Sequence, residues 1–204
     1  FDAILVGGAA THPQLLDSAK KLRINIVTTY GSSETSGGCV YDGRPLDSAL
    51  VRIGEENRIY LGGPMIAQGY RNVDSDAFMV DESGTSWFAT SDAGALHDGH
   101  LTVTGRLDNI LNTGGLKLHP EQLEQHILRV PGVDGVCVVG IPHPRLGQMI
   151  VAAYTGWADV GDILVALDDV GLPRWQTPKD FKRLTELPTT GPGKVDRLAV
   201  ARLW

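Results

Sequence analysis

The 204-residue sequence is 42% hydrophobic and 21% charged, with 18 Lys and Arg against 24 Asp and Glu and a net charge of -6. A chain of this length buries a sizeable core in one or two domains, and the composition is that of an ordinary soluble globular protein. The acidic balance excludes a general nucleic-acid binder, and with no apolar run near the ~20 residues of a membrane helix and no cationic leader, the expectation is a cytoplasmic protein without membrane insertion.

In chain order, Phe1-Asp2-Ala3-Ile4-Leu5-Val6 reads as a buried strand already inside a fold, opening without Met, which suggests a piece of a longer protein. Gly7-Gly8-Ala9-Ala10 forms the following loop. A helix is predicted from Pro13, whose missing amide costs nothing in the first turn, with Leu15, Leu16, Ala19 and Leu22 on one face. A second strand over Ile24 to Thr28 completes a strand, helix, parallel strand unit. Both strands then end in loops on the carboxyl edge of one sheet, where open α/β sheets bind ligands. The first loop lacks G-x-G-x-x-G spacing, which argues against a dinucleotide fingerprint and an oxidoreductase.

From Val51 the period changes to two. Val51 and Ile53, then Ile59 and Leu61, predict a hairpin around Glu55-Glu56-Asn57 with one buried face. His97-Asp98-Gly99-His100 carries an Asp-Gly hairpin turn, and Asp92 is expected just after a strand. A second unit follows Arg106. Its predicted elements are a turn at Gly114-Gly115, a helix from Pro120, strands over Val133 to Gly140 and Met149 to Tyr154, a helix near Asp162 to Asp169, a strand over Asp180 to Leu184 and a last helix from Asp196 to Trp204. Cys39 and Cys137 lie far apart and read as free thiols, Cys137 as a small hydrophobe in a strand. His97 and His100 lack a third ligand and read as a solvated turn; His143, between two prolines, reads as a rigid loop residue.

Four ordered segments carry chemistry: Tyr30-Gly31-Ser32-Ser33-Glu34-Thr35, Thr90-Ser91-Asp92, Gly105-Arg106-Leu107-Asp108, and Gly191-Pro192-Gly193-Lys194-Val195-Asp196-Arg197. An aromatic face suits a nucleotide base, Ser hydroxyls donate to phosphate or carboxylate, and Glu34 is a hard oxygen ligand suited to Mg2+. Asp92 has two oxygens for a vicinal diol, Arg106 is a planar donor fork, and Lys194 is a movable point charge on a glycine-flexed loop.

Together these segments resemble the adenylate-forming superfamily of acyl-CoA synthetases, peptide-synthetase adenylation domains and luciferases, from about Val6 to Arg197. The resemblance implies the C-terminal part of a large α/β and β-barrel AMP-binding domain over residues 1–107. A small mobile α+β lid domain over 108–204 would follow, with its hinge at Asp108. It implies ATP-dependent activation of a carboxylate as an acyl-adenylate, with Mg2+, and transfer to the thiol of coenzyme A. Tyr30 and Gly31, with Gly8 and Ala9, would hold the base; Ser32 and Ser33 the phosphates or carboxylate; Asp92 the ribose, and Arg106 the ribose or the α-phosphate. Glu34 would hold the metal, Lys194 would be the adenylation lysine, and Gly114-Gly115 would line the pantetheine tunnel. Ser91 replaces the commoner glycine, and Leu116-Lys117-Leu118 replaces the usual Glu-Asn-Ile after that glycine pair. The family's upstream phosphate loop has no match, so the isolated chain is expected to be catalytically incomplete.

The stretch from Glu34 to Asp47 looks like that of the o-succinylbenzoate CoA ligases of menaquinone biosynthesis, especially the compact actinobacterial type. Ser36-Gly37-Gly38 would leave room for an aromatic acyl group, and Arg44 is a candidate partner for the succinyl carboxylate because it is cationic and near in sequence. The alternatives are another acyl-CoA ligase or adenylation domain, and a non-catalytic nucleotide-binding or interaction fragment. Oligomeric state is not set by these motifs.

Overall fold

The computed structural model describes residues 1–191 and 193–204. Pro192, expected on the lysine loop, lies outside the described residues. The chain divides into two compact units: Phe1–Thr11 with Leu15–Leu107, and His12–Gln14 with Asp108–Trp204.

The chain begins with β1 (Ile4–Val6), α1 (Pro13–Lys21) and β2 (Ile26–Ser32). β1 and β2 pair in parallel, Ile4 opposite Ile26, as the strand, helix, strand reading requires. β3 (Gly37–Tyr41) and β4 (Arg44–Pro45) extend this sheet to four strands in the order β1, β2, β3, β4. β1 was expected to be buried, yet Ile4 is 42% and Leu5 63% exposed. It is an edge strand, and of the apolar stripe on α1 only Ala19 is buried, while Leu15 and Leu22 face outward.

A second sheet comprises β5 (Leu50–Ile53), β6 (Arg58–Gly62), β7 (Phe78–Val80), β8 (Ser86–His97) and β9 (His100–Arg106). The β5–β6 hairpin has the expected register, Val51 opposite Leu61 and Ile53 opposite Ile59, with Ile59 and Leu61 fully buried. Asp98 and Gly99 both have positive φ, 51° and 72°, so the β8–β9 turn is the one that matches strand twist. The sheet is open: no strand pairing closes a barrel among the described residues. β8 is longer than expected. Asp92 lies inside it instead of after it, because the chain continues through a register shift at Ala93 and Gly94. A side chain there on Gly94 would meet Thr102 O at 2.5 Å.

The second unit contains β10 (Leu111–Thr113), β11 (Leu116–Leu118), α2 (Pro120–Ile127), β12 (Val133–His143), β13 (Gly147–Gly156), α3 (Val160–Asp169), β14 (Asp180–Leu184) and α4 (Arg197–Ala201). β12 and β13 form a long antiparallel pair, and β14 adds to β13 in parallel. Both faces of this sheet are covered. Val136, Val138, Ile150, Ala152 and Tyr154 pack with Leu123 and Ile127 of α2 and Ile163 and Leu167 of α3. The alternate residues Cys137, Val139, Val151 and Ala153 pack with Val200 of α4. A strand with two buried faces needs apolar residues at successive positions, which explains the unbroken hydrophobic run.

His143 was expected in a loop. It is the last residue of β12, and its Nδ1 accepts from the backbone N–H groups of Arg145 and Leu146, both at 3.3 Å, closing the hairpin turn. The last helix is also shorter than Asp196 to Trp204. Asp196 is its N-cap, accepting from Ala199 N at 3.0 Å, and regular helix ends at Ala201. Cys39 and Cys137 are both free and buried; burial pushes the Cys137 thiol up to about 12.

Candidate active site

The carboxyl end of β2 builds the site. Tyr30, Gly31 and Ser32 finish the strand, and a short turn over Ser33–Thr35 follows. Thr35 organises that turn: its buried hydroxyl accepts from Ser32 N at 2.9 Å and donates to Gly37 O at 2.7 Å. Ser36 then takes the left-handed conformation. The turn is docked by Ala67, whose N–H donates to Glu34 O at 2.8 Å, and by Ser36 Oγ donating to Met65 O at 3.1 Å.

This arrangement brings Tyr30, Ser32, Glu34, Tyr70, Asp92 and Arg106 around one cavity of about 220 Å³ within the first unit. Asp92 and Arg106 are opposite each other in the β8–β9 register. Arg106 Nη1 approaches Asp92 Oδ1 at 3.3 Å, and the Tyr30 hydroxyl donates to Asp92 Oδ2 at 2.8 Å. Burial, reinforced by the Asp92 charge, drives the Tyr30 phenol far above its ordinary range. Thr90 supports the same corner: its hydroxyl donates to Ile59 O at 2.8 Å and accepts from Asp92 N at 3.0 Å. Ser32 Oγ is buried without a hydrogen-bond partner, a group that calls for one.

Tyr70, which sequence reasoning did not select, donates its hydroxyl to Glu34 Oε1 at 2.6 Å. That bond favours the ionised carboxylate and holds Glu34 below its ordinary value, while Tyr70 is raised in turn. Its signal was the dipeptide Gly69-Tyr70 in a stretch without strand or helix period.

Several expected residues stand apart from this cavity. Gly8, Ala9 and Ser33 are exposed and do not line it, and neither does Arg44 on β4. At Gly8 the loop turns outward with φ 83°. Gly31 lines the cavity, and its bare backbone also admits the neighbouring strand: a Cβ there would lie 2.1 Å from Gly37 O on β3. A larger cavity of about 570 Å³, beside Ala19, Asp42 and His100, contains no residue of the four chemistry-bearing segments. No group of three His, Cys, Asp or Glu side chains fit to hold a metal occurs among the described residues.

The second unit holds the other motif residues. Asp108 sits in the turn Leu107–Asn109. Gly114 and Gly115 turn the β10–β11 hairpin with φ of 60° and 83°, and Gly114 N donates to Leu146 O at 2.9 Å. Lys194 is exposed, and its loop is tied at the base: Thr189 bridges Val195, and Thr190 N donates to Lys194 O at 2.7 Å. Arg197, three residues on, makes a two-pronged pair with Glu124 on α2, at 2.7 and 2.8 Å, and donates to Val138 O at 2.8 Å. Glu124 in turn accepts from Val138 N at 2.7 Å, and Glu121 accepts from Asn109 Nδ2 at 2.6 Å.

Among known proteins, the AMP-binding enzyme C-terminal domain matches residues 122–194 of this chain. Among its relatives are 2-succinylbenzoate–CoA ligases. It is 42% identical over 214 residues to the "Probable 2-succinylbenzoate--CoA ligase" of Mycobacterium tuberculosis, covering 99% of this chain and 54% of that protein. The Escherichia coli 2-succinylbenzoate–CoA ligase is 31% identical, over 97% of this chain and 45% of that protein. A solved structure of an E. coli MenE variant with bound OSB-AMS superimposes with a TM-score of 0.83 at 30% identity, over 99% of this chain and 46% of that one. The chain therefore spans about half the length of the relatives it matches.

Proposed function

We propose that this chain is part of an ATP-dependent acid–thiol ligase that makes o-succinylbenzoyl-CoA for menaquinone biosynthesis. The observation that carries the reading is the cavity at the end of β2, where a base-stacking aromatic, a ribose-type acid, a cation and a metal-type acid converge from motifs far apart in sequence. Tyr30 offers its face to adenine, and Asp92 with Arg106 accepts the ribose. The unpartnered Ser32 hydroxyl supplies a donor for a phosphate or carboxylate oxygen. One carboxylate, Glu34, fits a Mg2+ ion that takes its other ligands from phosphates and water; it does not fit a metal held by a protein cage. The ion would neutralise phosphate charge there.

In the first half-reaction a carboxylate oxygen of the acid bonds to the α-phosphorus of ATP, and the bond to pyrophosphate breaks. Lys194 supplies the compact positive charge for that step. In the second, the thiol sulfur of coenzyme A attacks the acyl carbon and AMP departs, with the Gly114-Gly115 hairpin lining the thiol's path and the second unit turning on Asp108 between steps. Gly37, with open space where a side chain would stand, leaves room beside Glu34 for an aromatic acyl group.

The test is acid-dependent exchange of pyrophosphate into ATP by the full-length protein. We expect exchange with o-succinylbenzoate well above that with other aromatic or aliphatic acids. Lys194→Ala should abolish exchange while sparing transfer from preformed acyl-adenylate to coenzyme A. Exchange with a different acid alone would keep the ligase class and replace the substrate; silence with every acid would remove the ligase reading.

A further inference from the structure

Stacking on a base uses the face of Tyr30 and leaves its hydroxyl without a task. That hydroxyl crosses 62 residues of sequence to donate to Asp92 Oδ2 at 2.8 Å. Asp92 Oδ1 is met by Arg106 at 3.3 Å, the longer of the two contacts. The backbone of Asp92 is fixed by Thr90, itself held to Ile59. A carboxylate has roughly four acceptor directions. Tyr30 and Arg106 each engage a different oxygen, leaving acceptor capacity on both, which matches the two donors of a vicinal diol. Because burial and Asp92 raise the Tyr30 phenol, it stays a donor throughout the physiological range.

We propose, on the nucleotide reading above, that Tyr30 is the positioning residue for Asp92. Its hydroxyl sets the carboxylate so that both oxygens meet a ribose diol together, and this makes the site select ribonucleotides over 2′-deoxyribonucleotides. The ring and the hydroxyl therefore do separable work: the ring binds any adenine nucleotide, and the hydroxyl discriminates the sugar.

The experiment is equilibrium binding of ATP and 2′-deoxy-ATP to the full-length protein and its variants. The wild type should prefer ATP by about tenfold or more, the scale of a hydrogen bond to a charged group. Tyr30→Phe keeps the ring and should bind both nucleotides, with the preference reduced at least about threefold. Tyr30→Leu should weaken both nucleotides together. A Tyr30→Phe protein with the full wild-type preference would overturn the positioning role and leave the nucleotide site standing. A wild type that binds neither nucleotide, or an Asp92→Asn protein with undiminished preference, would overturn the site itself and the inference with it.

Discussion

Tyr70 and Glu34 are 36 residues apart and share a 2.6 Å hydrogen bond at the mouth of the cavity. The phenol donates only to the ionised carboxylate's advantage, so it lowers the pH at which Glu34 takes up a proton. Removing it in Tyr70→Phe should raise the Glu34 value, and the acid limb of the pH profile for adenylation should move to higher pH while the alkaline limb stays in place. A profile of kcat/KM against pH checks this; an unmoved acid limb would mean that Glu34 does not set it. The same residue marks the limit of reading a site from sequence. Tyr30, Glu34, Asp92 and Arg106 lie in short motifs whose residue types announce their chemistry. Tyr70 lies in an aperiodic stretch and acquires its role only when folding brings it to Glu34. Gly31 teaches the reverse: its need for a bare backbone was legible, but the neighbour demanding it, Gly37 O, was not.

Helix α4 is only five residues long, too short to stand on its own propensity. Three attachments hold it: the Asp196 cap, Val200 in the core, and the Arg197 pair with Glu124 of α2. Burial pushes the Glu124 carboxyl up and Arg197 opposes that shift, so each partner depends on the other. Arg197→Ala takes the charged donor from Glu124, which keeps only the Val138 N–H, and from the Val138 carbonyl, and should destabilise the second unit by about 3 kcal/mol. Arg197→Lys should recover little of that, since an ammonium has no two-pronged fork. Denaturant midpoints of the three proteins test both statements, and equal midpoints would contradict them. At this scale turns were the most legible feature. Asp98-Gly99 and Gly114-Gly115 fixed two hairpins through residues that accept positive φ. Ends of elements were the least: β8 runs through Asp92 past a register shift, and beyond the end of α4 at Ala201 the chain is tied to β14, where Trp204 Nε1 donates to Asp180 Oδ2 at 2.7 Å.

The two units have separate cores. The cluster around Ile59 and Leu61 draws on residues 39–101, and those on either face of the β12–β13 pair draw on residues 111–204. Residues 108–204 alone should therefore fold and melt in a single cooperative transition, read by calorimetry as agreement between calorimetric and van't Hoff enthalpies. A broad transition without that agreement would show that the second core needs the first unit. The change of hydrophobic period at Val51 made the β-rich sheet of the first unit readable, whereas the open form of that sheet depends on pairings that no local pattern encodes.

The tied base of the lysine loop carries a last consequence. With Thr189 bridged to Val195 and Thr190 N bonded to Lys194 O, the backbone under Lys194 is tied into a turn, and its ammonium reaches outward on a four-carbon stem. The charge is therefore carried on a closed turn of the second unit's own fold and not on a free tether, and its placement rests on the bridge that Val195 makes with Thr189.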